Sequence, residues 1–283
     1  MQRTDAGGVP AIVPCMVGGE AATDAHAAEL GASLEVHWLG RVAYRDAWDL
    51  QKRLAAARAS GVIADQLLLL EHPAVLTLGR QADASHVLAT PAELAAREIE
   101  VLRVERGGEV TYHGPGQLVA YPIIRLADRE LLLRPFVRAL EGALVATCAA
   151  GGVRASRRDG HPGCWVDPDG PAPRKIGALG IRVERGTTYH GIALNVDVDL
   201  TDFDLIDACG MPGVTSTSIA SEAGRPDERP STAAVARAAD VFAVAFAEAI
   251  GASVSGAHAT NADPARERAA LEHRLAAVAA TAA

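Results

Sequence analysis

Lysine is nearly missing from this chain. Of its 27 basic residues only Lys52 and Lys175 are lysines, and the rest are arginine. Aromatic residues make up only 4% of the sequence, so the core has to be built from aliphatic side chains and alanine. The four cysteines, at 15, 148, 164 and 209, lie far apart with no CxxC pair, which excludes an obvious disulfide framework and leaves no zinc-binding spacing. The nine histidines contain no HExxH, so neither a metal nor a cofactor is expected. Positive charge is not in excess. A formal net charge of −8 and a pI near 5.6 exclude the basic stripe of a nucleic-acid binder. No apolar run approaches the roughly 20 residues that cross a bilayer, so no membrane partner is expected. The N-terminal GVPAIVPCMVGG is broken by two prolines and does not follow the order of a secretory leader. These absences predict a cytoplasmic protein with reduced thiols.

What is present is a chain of 283 residues with 49% apolar content, enough for a sizeable core. Residues 1–33 are rich in Gly and Ala without a sustained period and are expected to be a flexible arm. Residues 34–250 carry alternating strand and helix patterns with no convincing linker, which predicts one catalytic domain. Residues 251–283 are expected to be an appendage, partly helical or disordered. Within the central region, LEVHWLG (34–40) reads as a strand and YRDAWDLQKRLAAARA (44–59) as a helix ended by Gly61. QLLLLEHPAVLTLGR (66–80) reads as two strands separated by Glu71, His72 and Pro73. Thr90 and Pro91 start a short helix, and Leu131 to Ala150 forms a long one. Ser231 caps another helix, whose Val235, Phe242 and Phe246 make an apolar stripe.

The chemistry concentrates in RKIGALGIRVERGTTYHGIALNVDVDLTDFDLIDACG (174–210). Two alternating apolar segments there read as paired strands, with Lys175 at one end and Cys209 beyond the other. A chain that writes Arg almost everywhere has kept Lys at 175. An amine can give up and take back a proton, whereas a guanidinium cannot. Cys209 stands in a Cys-Gly-Met-Pro-Gly run, a turn able to present its thiol. A thiol has a pKa near 8.5, and a neighbouring cation raises its thiolate fraction. The pair is therefore a candidate nucleophile served by an amine, against the alternative of a buried core cysteine and a surface lysine. His113 and His190 are rival activators, each between a tyrosine and a glycine. His72, just before a proline at a strand end, is either a hydrogen-bonded turn residue or, like His190, a candidate site wall. RGGEVTYHGPGQLVAYPII (106–124) brings four glycines within eleven residues beside Arg106, Tyr112 and His113. Glycines let backbone approach a ligand closely, but no Walker or GxGxxG context surrounds them.

Five motifs in order, EHPAVLTLGR, RGGEVTYHGPGQLVAYP, RKIGALGIR, TYHGIALNV and ACGMPGVTS, resemble the octanoyltransferases, the lipoyl(octanoyl) transferases of the biotin/lipoate protein ligase superfamily. The resemblance runs from about Leu34 to Ile250. It implies an α/β (α+β) fold, a mixed sheet flanked by helices like the catalytic domain of biotin and lipoate ligases. It also implies an acyltransferase that moves an octanoyl group from octanoyl-acyl carrier protein to a lysine of lipoyl-domain proteins. Those acceptors are the E2 subunits of 2-oxoacid dehydrogenase complexes and the glycine cleavage H protein. Carried over by motif, Cys209 forms the acyl-thioester intermediate, while Lys175 lowers its pKa and shuttles protons. Arg106, Gly107, Gly108, Glu109, Val110, Thr111, Tyr112 and His113 line the acyl site with Ala178, Leu179, Gly180, Gly191, Ile192 and Ala193.

The residues agree with such roles. Thioester exchange is nearly isoenergetic and needs no nucleotide, only a nucleophile and an oxyanion hole, for which the Leu179 and Gly180 N–H groups are candidates. An eight-carbon chain needs an apolar slot, worth about 0.8 kcal/mol per buried CH₂. With the chain acidic overall, arginines near the site are expected to make a local positive patch for an acidic carrier. Two rival readings remain: an ATP-dependent lipoate or biotin ligase of the same fold, which needs no thiol, and a non-catalytic binder of lipoyl domains.

Overall fold

The strands form where apolar residues run or alternate, and two of them are apolar on both faces because both faces are covered. In the computed structural model, which describes residues 33–211, 213–225 and 230–282, a nine-stranded mixed sheet carries the molecule. The side chains at 209, 281 and 282 also lie outside the described set, as does almost all of the expected N-terminal arm. One half is built on three strands: β1 (Ser33–Arg41), β2 (Asp65–Glu71), parallel to it, and β6 (Gln117–Ile123), antiparallel to β2. β2 and β6 are buried at every position. β10 (Thr187–Asn195) follows β6, then β9 (Arg174–Glu184), β8 (His161–Val166) and β7 (Ser156–Arg158), all antiparallel. The short β11 (Thr215–Ser216) adds to the start of β9, and β12 (Ser253–Ser255) lies parallel to β1 at the other edge.

Helices cover both faces. α1 (Tyr44–Ala59) occupies the residues its pattern predicts and packs on the face that carries Leu68, Leu70, Val119 and Tyr121. α2 (Pro91–Ala96) starts with a capping box, Thr90 accepting from the Glu93 N–H while the Glu93 carboxylate accepts from the Thr90 N–H at 2.7 Å. α3 (Leu133–Ala150) and α5 (Thr232–Ala249) pack on the opposite face over Leu118, Ala120, Ile192 and Leu194, with the single turn α4 (Ile219–Glu222) beside them. A separate three-stranded sheet, β4 (Glu100–Arg103), β3 (Val75–Leu78) and β5 (Val110–His113), has its own core of Leu76, Leu78, Val110 and Tyr112.

The segment after residue 250 does more than trail off. β12 extends the sheet, and α6 (Pro264–Ala282) buries Leu271 and Leu275 against the α1 side of the core. Ion pairs fasten it, Arg53 to Glu272 at 2.6 Å and Arg274 to Glu35 at 2.5 Å.

Candidate active site

A cavity of about 320 Å³ opens over the β6–β10–β9 part of the sheet, on the face that carries α1, with the β4–β5 loop and β5 against it. Its floor is made of small residues placed by register. Ala178 pairs with Ala193 and Gly180 with Gly191, and residues paired across an antiparallel ladder share a face. Leu179 and Ile192, paired with each other, also line the cavity although their side chains pack towards the α3/α5 core. The small side chains of Ala178 and Ala193 keep the floor low, whereas Gly180 and Gly191 let backbone approach, since a Cβ there would meet the Gly107 and Ala120 carbonyl oxygens.

The loop from Arg106 to Glu109 closes over this floor. Its closeness depends on glycine, since a Cβ on Gly180 would lie 2.6 Å from the Gly107 carbonyl oxygen and one on Gly79 would lie 2.1 Å from that of Gly108. The Gly107 N–H donates to the Ile181 carbonyl at 3.1 Å and so ties the loop to the cavity-side edge of β9. The Arg106 guanidinium is buried and donates to the Thr77 carbonyl at 2.5 Å and the Thr77 hydroxyl at 2.9 Å. Arg106, Gly108, Glu109, Val110, Thr111 and His113 all line the cavity. Gly107 does not, and Tyr112 turns away to donate to Asp202 at 2.7 Å and pack on Phe203.

Lys175 sits on the other wall, 7% exposed. Its Nζ donates to the Pro162 carbonyl at 3.2 Å and lies 5.0 Å from the centre of the Trp165 ring. Trp165 is directly across from it in the β8–β9 register, and Ser216 of β11 is across on the other side. Cys209 stands in a 3₁₀ turn, Ala208–Gly210, whose glycine takes φ +62° and packs against Glu109. The Cys209 side chain lies outside the described residues. Its neighbours bracket the site: Met211 lines the large cavity with Lys175, and Ala208 lines a small adjoining recess that Lys175 also touches.

Three histidines flagged in the sequence meet beneath the cavity, all buried. His72 does not line it. Its Nδ1 is 2.7 Å from the Val42 carbonyl and must donate there, so Nε2 accepts from the Tyr121 hydroxyl at 2.8 Å. Burial lowers its pKa to about 4. His113 donates from Nδ1 to the Gln117 side-chain oxygen at 2.7 Å, and burial holds it well below the usual histidine range, with the neighbouring His72 adding to the effect. His190 is lowered to about 3, first by burial and then by Arg106. All three are neutral at neutral pH. Tyr44, raised to about 12 by burial, and Tyr121 complete this wall. Sequence reasoning missed both, because one begins a helix and the other sits in a fully buried strand, where the pattern announces core. It also missed Gly160, His161 and Pro162 of the β7–β8 hairpin and Met211. The last was marked only by the run that contains Cys209. Among the described residues there is no group of three or more His, Cys, Asp or Glu side chains able to hold a metal. None of the described helices is long and apolar enough to cross a membrane.

This mixed sheet with helices on both faces is the fold of lipoate-protein ligases. A bipartite lipoate protein ligase from Thermoplasma acidophilum superposes with a TM-score of 0.58 at 13% identity, covering 86% of this chain and 91% of that one. A lipoate-protein ligase A crystallised with ATP gives 0.59 at 16% identity, covering 86% and 94%. Residues 43–240 match the model of the lipoyl protein ligase A/B catalytic domain. An octanoyltransferase from Chloroflexus aurantiacus is 48% identical over 215 residues, 75% of this chain and 95% of that protein. The chain therefore belongs to the octanoyltransferases of the lipoyl protein ligase A/B catalytic domain family, which are transferase enzymes.

Proposed function

We propose that this protein transfers an octanoyl group from octanoyl-acyl carrier protein to a lysine of a lipoyl domain, by way of a thioester on Cys209, in the cytoplasm. The acceptors are E2 subunits of 2-oxoacid dehydrogenases or the glycine cleavage H protein. The observation that carries this reading is Lys175, a buried lysine in a chain with one other, facing an apolar-floored cavity beside the turn that bears residue 209.

In the first half-reaction the Cys209 thiolate adds to the thioester carbonyl. The tetrahedral oxyanion collapses with loss of the carrier thiolate, which takes a proton from the Lys175 ammonium. In the second, the acceptor amine gives a proton to the Lys175 amine as it attacks the acyl-enzyme, and the Cys209 thiolate leaves. One thioester is exchanged for another and then for an amide, so no nucleotide is consumed. The Leu179 N–H suits the oxyanion better than that of Gly180. Along β9 the backbone groups alternate, and the Ile181 carbonyl faces away from β10 towards Gly107. Leu179 shares that side, beyond Gly177 where the pairing with β8 ends, whereas the Gly180 N–H points into the β10 ladder. Arg157 and Arg158 on the hairpin beside the cavity give an acidic carrier a place to approach.

The test is an intact-mass measurement after mixing with octanoyl carrier protein, ATP omitted. One octanoyl adduct is expected, lost in Cys209→Ala. An adduct that persists in Cys209→Ala, or a strict need for ATP, refutes the reading, the latter in favour of a ligase.

A further inference from the structure

One wall of the cavity, away from Lys175, has a feature that the transfer chemistry leaves unused. β10 should alternate, and Ile192 and Leu194 point into the α3/α5 core, so strict alternation would send His190 with them. His190 instead takes φ +55°, a left-handed conformation that is strained for a residue with a Cβ. The turn brings its side chain to the α1 face, where Nδ1 lies 3.5 Å from the Tyr44 hydroxyl. The residue is 1% exposed and lines the cavity, and its Nε2 has no hydrogen-bond partner among the described residues. Backbone strain holds the imidazole in the cavity wall, with its unpaired Nε2 buried just behind the lining. The Arg106 guanidinium borders the same space. Lys175 reaches over to Pro162 on β8, two strands from β10, or about 10 Å at the usual strand spacing.

We propose that His190 and Tyr44 form a polar stop that sets the length of the acyl chain, limiting the site to saturated medium-chain acyl groups whose methyl end falls short of the imidazole. This rests on the acyl-transfer reading above. In an apolar slot each added methylene would favour binding by about fourfold, from 0.8 kcal/mol per CH₂. A chain long enough to reach His190 loses that gain, because its methylenes meet the Tyr44 hydroxyl and the Arg106 guanidinium, which they cannot hydrogen-bond, and can go further only by pushing into the buried imidazole with its unpaired Nε2. The imidazole is neutral through the physiological range, so the stop acts as an unsatisfied hydrogen-bonding group rather than as a charge.

The experiment is a competition between octanoyl and dodecanoyl carrier proteins for the full-length protein, read as the ratio of adduct masses. In the wild type octanoyl should dominate. In His190→Leu, similar in size and apolar, the dodecanoyl:octanoyl ratio should rise at least tenfold. Tyr44→Phe, which leaves the left-handed backbone untouched and covers failure of His190→Leu to fold, should raise it several-fold. His190→Asn suits that backbone, shortens the side chain and keeps a polar tip, so the ratio should stay low if polarity sets the length. An unchanged ratio in His190→Leu and Tyr44→Phe, or a rise in His190→Asn equal to that in His190→Leu, overturns the proposal. Loss of every adduct in the wild type would instead defeat the acyl-transfer reading.

Discussion

Adding one methyl group at Gly180 tests the geometry of the cavity directly. The backbone there is extended, so alanine is not excluded by conformation. The cost is spatial, since the new Cβ would lie 2.6 Å from the Gly107 carbonyl oxygen and 3.3 Å from Cδ of Arg106. Ordinary carbon–oxygen contacts are about 3.3–3.6 Å, so the loop would have to retreat by roughly 0.7–1 Å. It is not free to do so, because the Gly107 N–H is bonded to Ile181 at 3.1 Å and the Arg106 carbonyl to the Arg80 N–H at 3.0 Å. Overpacking of this kind costs about 1–3 kcal/mol, which in a domain this size lowers Tm by roughly 2–12 °C. A displacement of that order at a binding wall should slow octanoyl loading by about tenfold to a hundredfold. Gly186→Ala is the control. It sits at the tip of the same hairpin with φ +77° and nothing within 4 Å of a new Cβ. It should lose about 1–2 kcal/mol through the left-handed backbone alone and load octanoyl at the normal rate. Thermal melts and intact-mass loading curves on both variants decide the matter. Normal loading and an unchanged Tm in Gly180→Ala would refute the close approach of loop and floor.

Lys175→Arg keeps the cation but not a proton that can be given up, so loading and transfer should nearly vanish; near-normal rates would reduce Lys175 to a source of charge. The buried histidines make stability depend on pH with a definite sign. His72 and His190 titrate near 4 and 3 when folded and near 6.5 when unfolded, so below pH 6.5 the unfolded chain takes up the extra protons. Stability should be full above pH 6.5 and fall below it, by about 1.4 kcal/mol per pH unit for each histidine kept neutral. Urea midpoints at pH 7.5 and 5.5 measure this, and equal midpoints would contradict buried neutral imidazoles.

Much of this was legible in the chain before any coordinates. α1 begins and ends where its composition places it, and the Thr90–Pro91 signal marks α2, because these cues act within one or two turns. The segments 178–180 and 191–193 were marked as acyl-site walls by the family resemblance, and 106–113 both by that resemblance and by its glycines and His113. The last thirty residues were harder. α6 has two well-buried leucines four positions apart on an alanine background, too narrow a stripe to announce packing. Its ion pairs join Glu272 to Arg53 and Arg274 to Glu35, partners that no local window contains. Tyr44 and Tyr121 were hidden by context, since a tyrosine amid apolar periodicity reads as core whether or not a cavity lies beside it.

The amino-acid order alone determined the alternation of the strands, the small residues at 178, 180, 191 and 193, and the retention of one lysine before them. These are properties of neighbours along the chain. Only the tertiary structure decided that the small residues pair across β9 and β10 on one face, that His72 is bonded behind the wall, and that His190 turns into the cavity. Those outcomes depend on strand register, on one left-handed backbone angle and on hydrogen-bond partners brought from distant positions, and none of these is encoded by spacing in sequence.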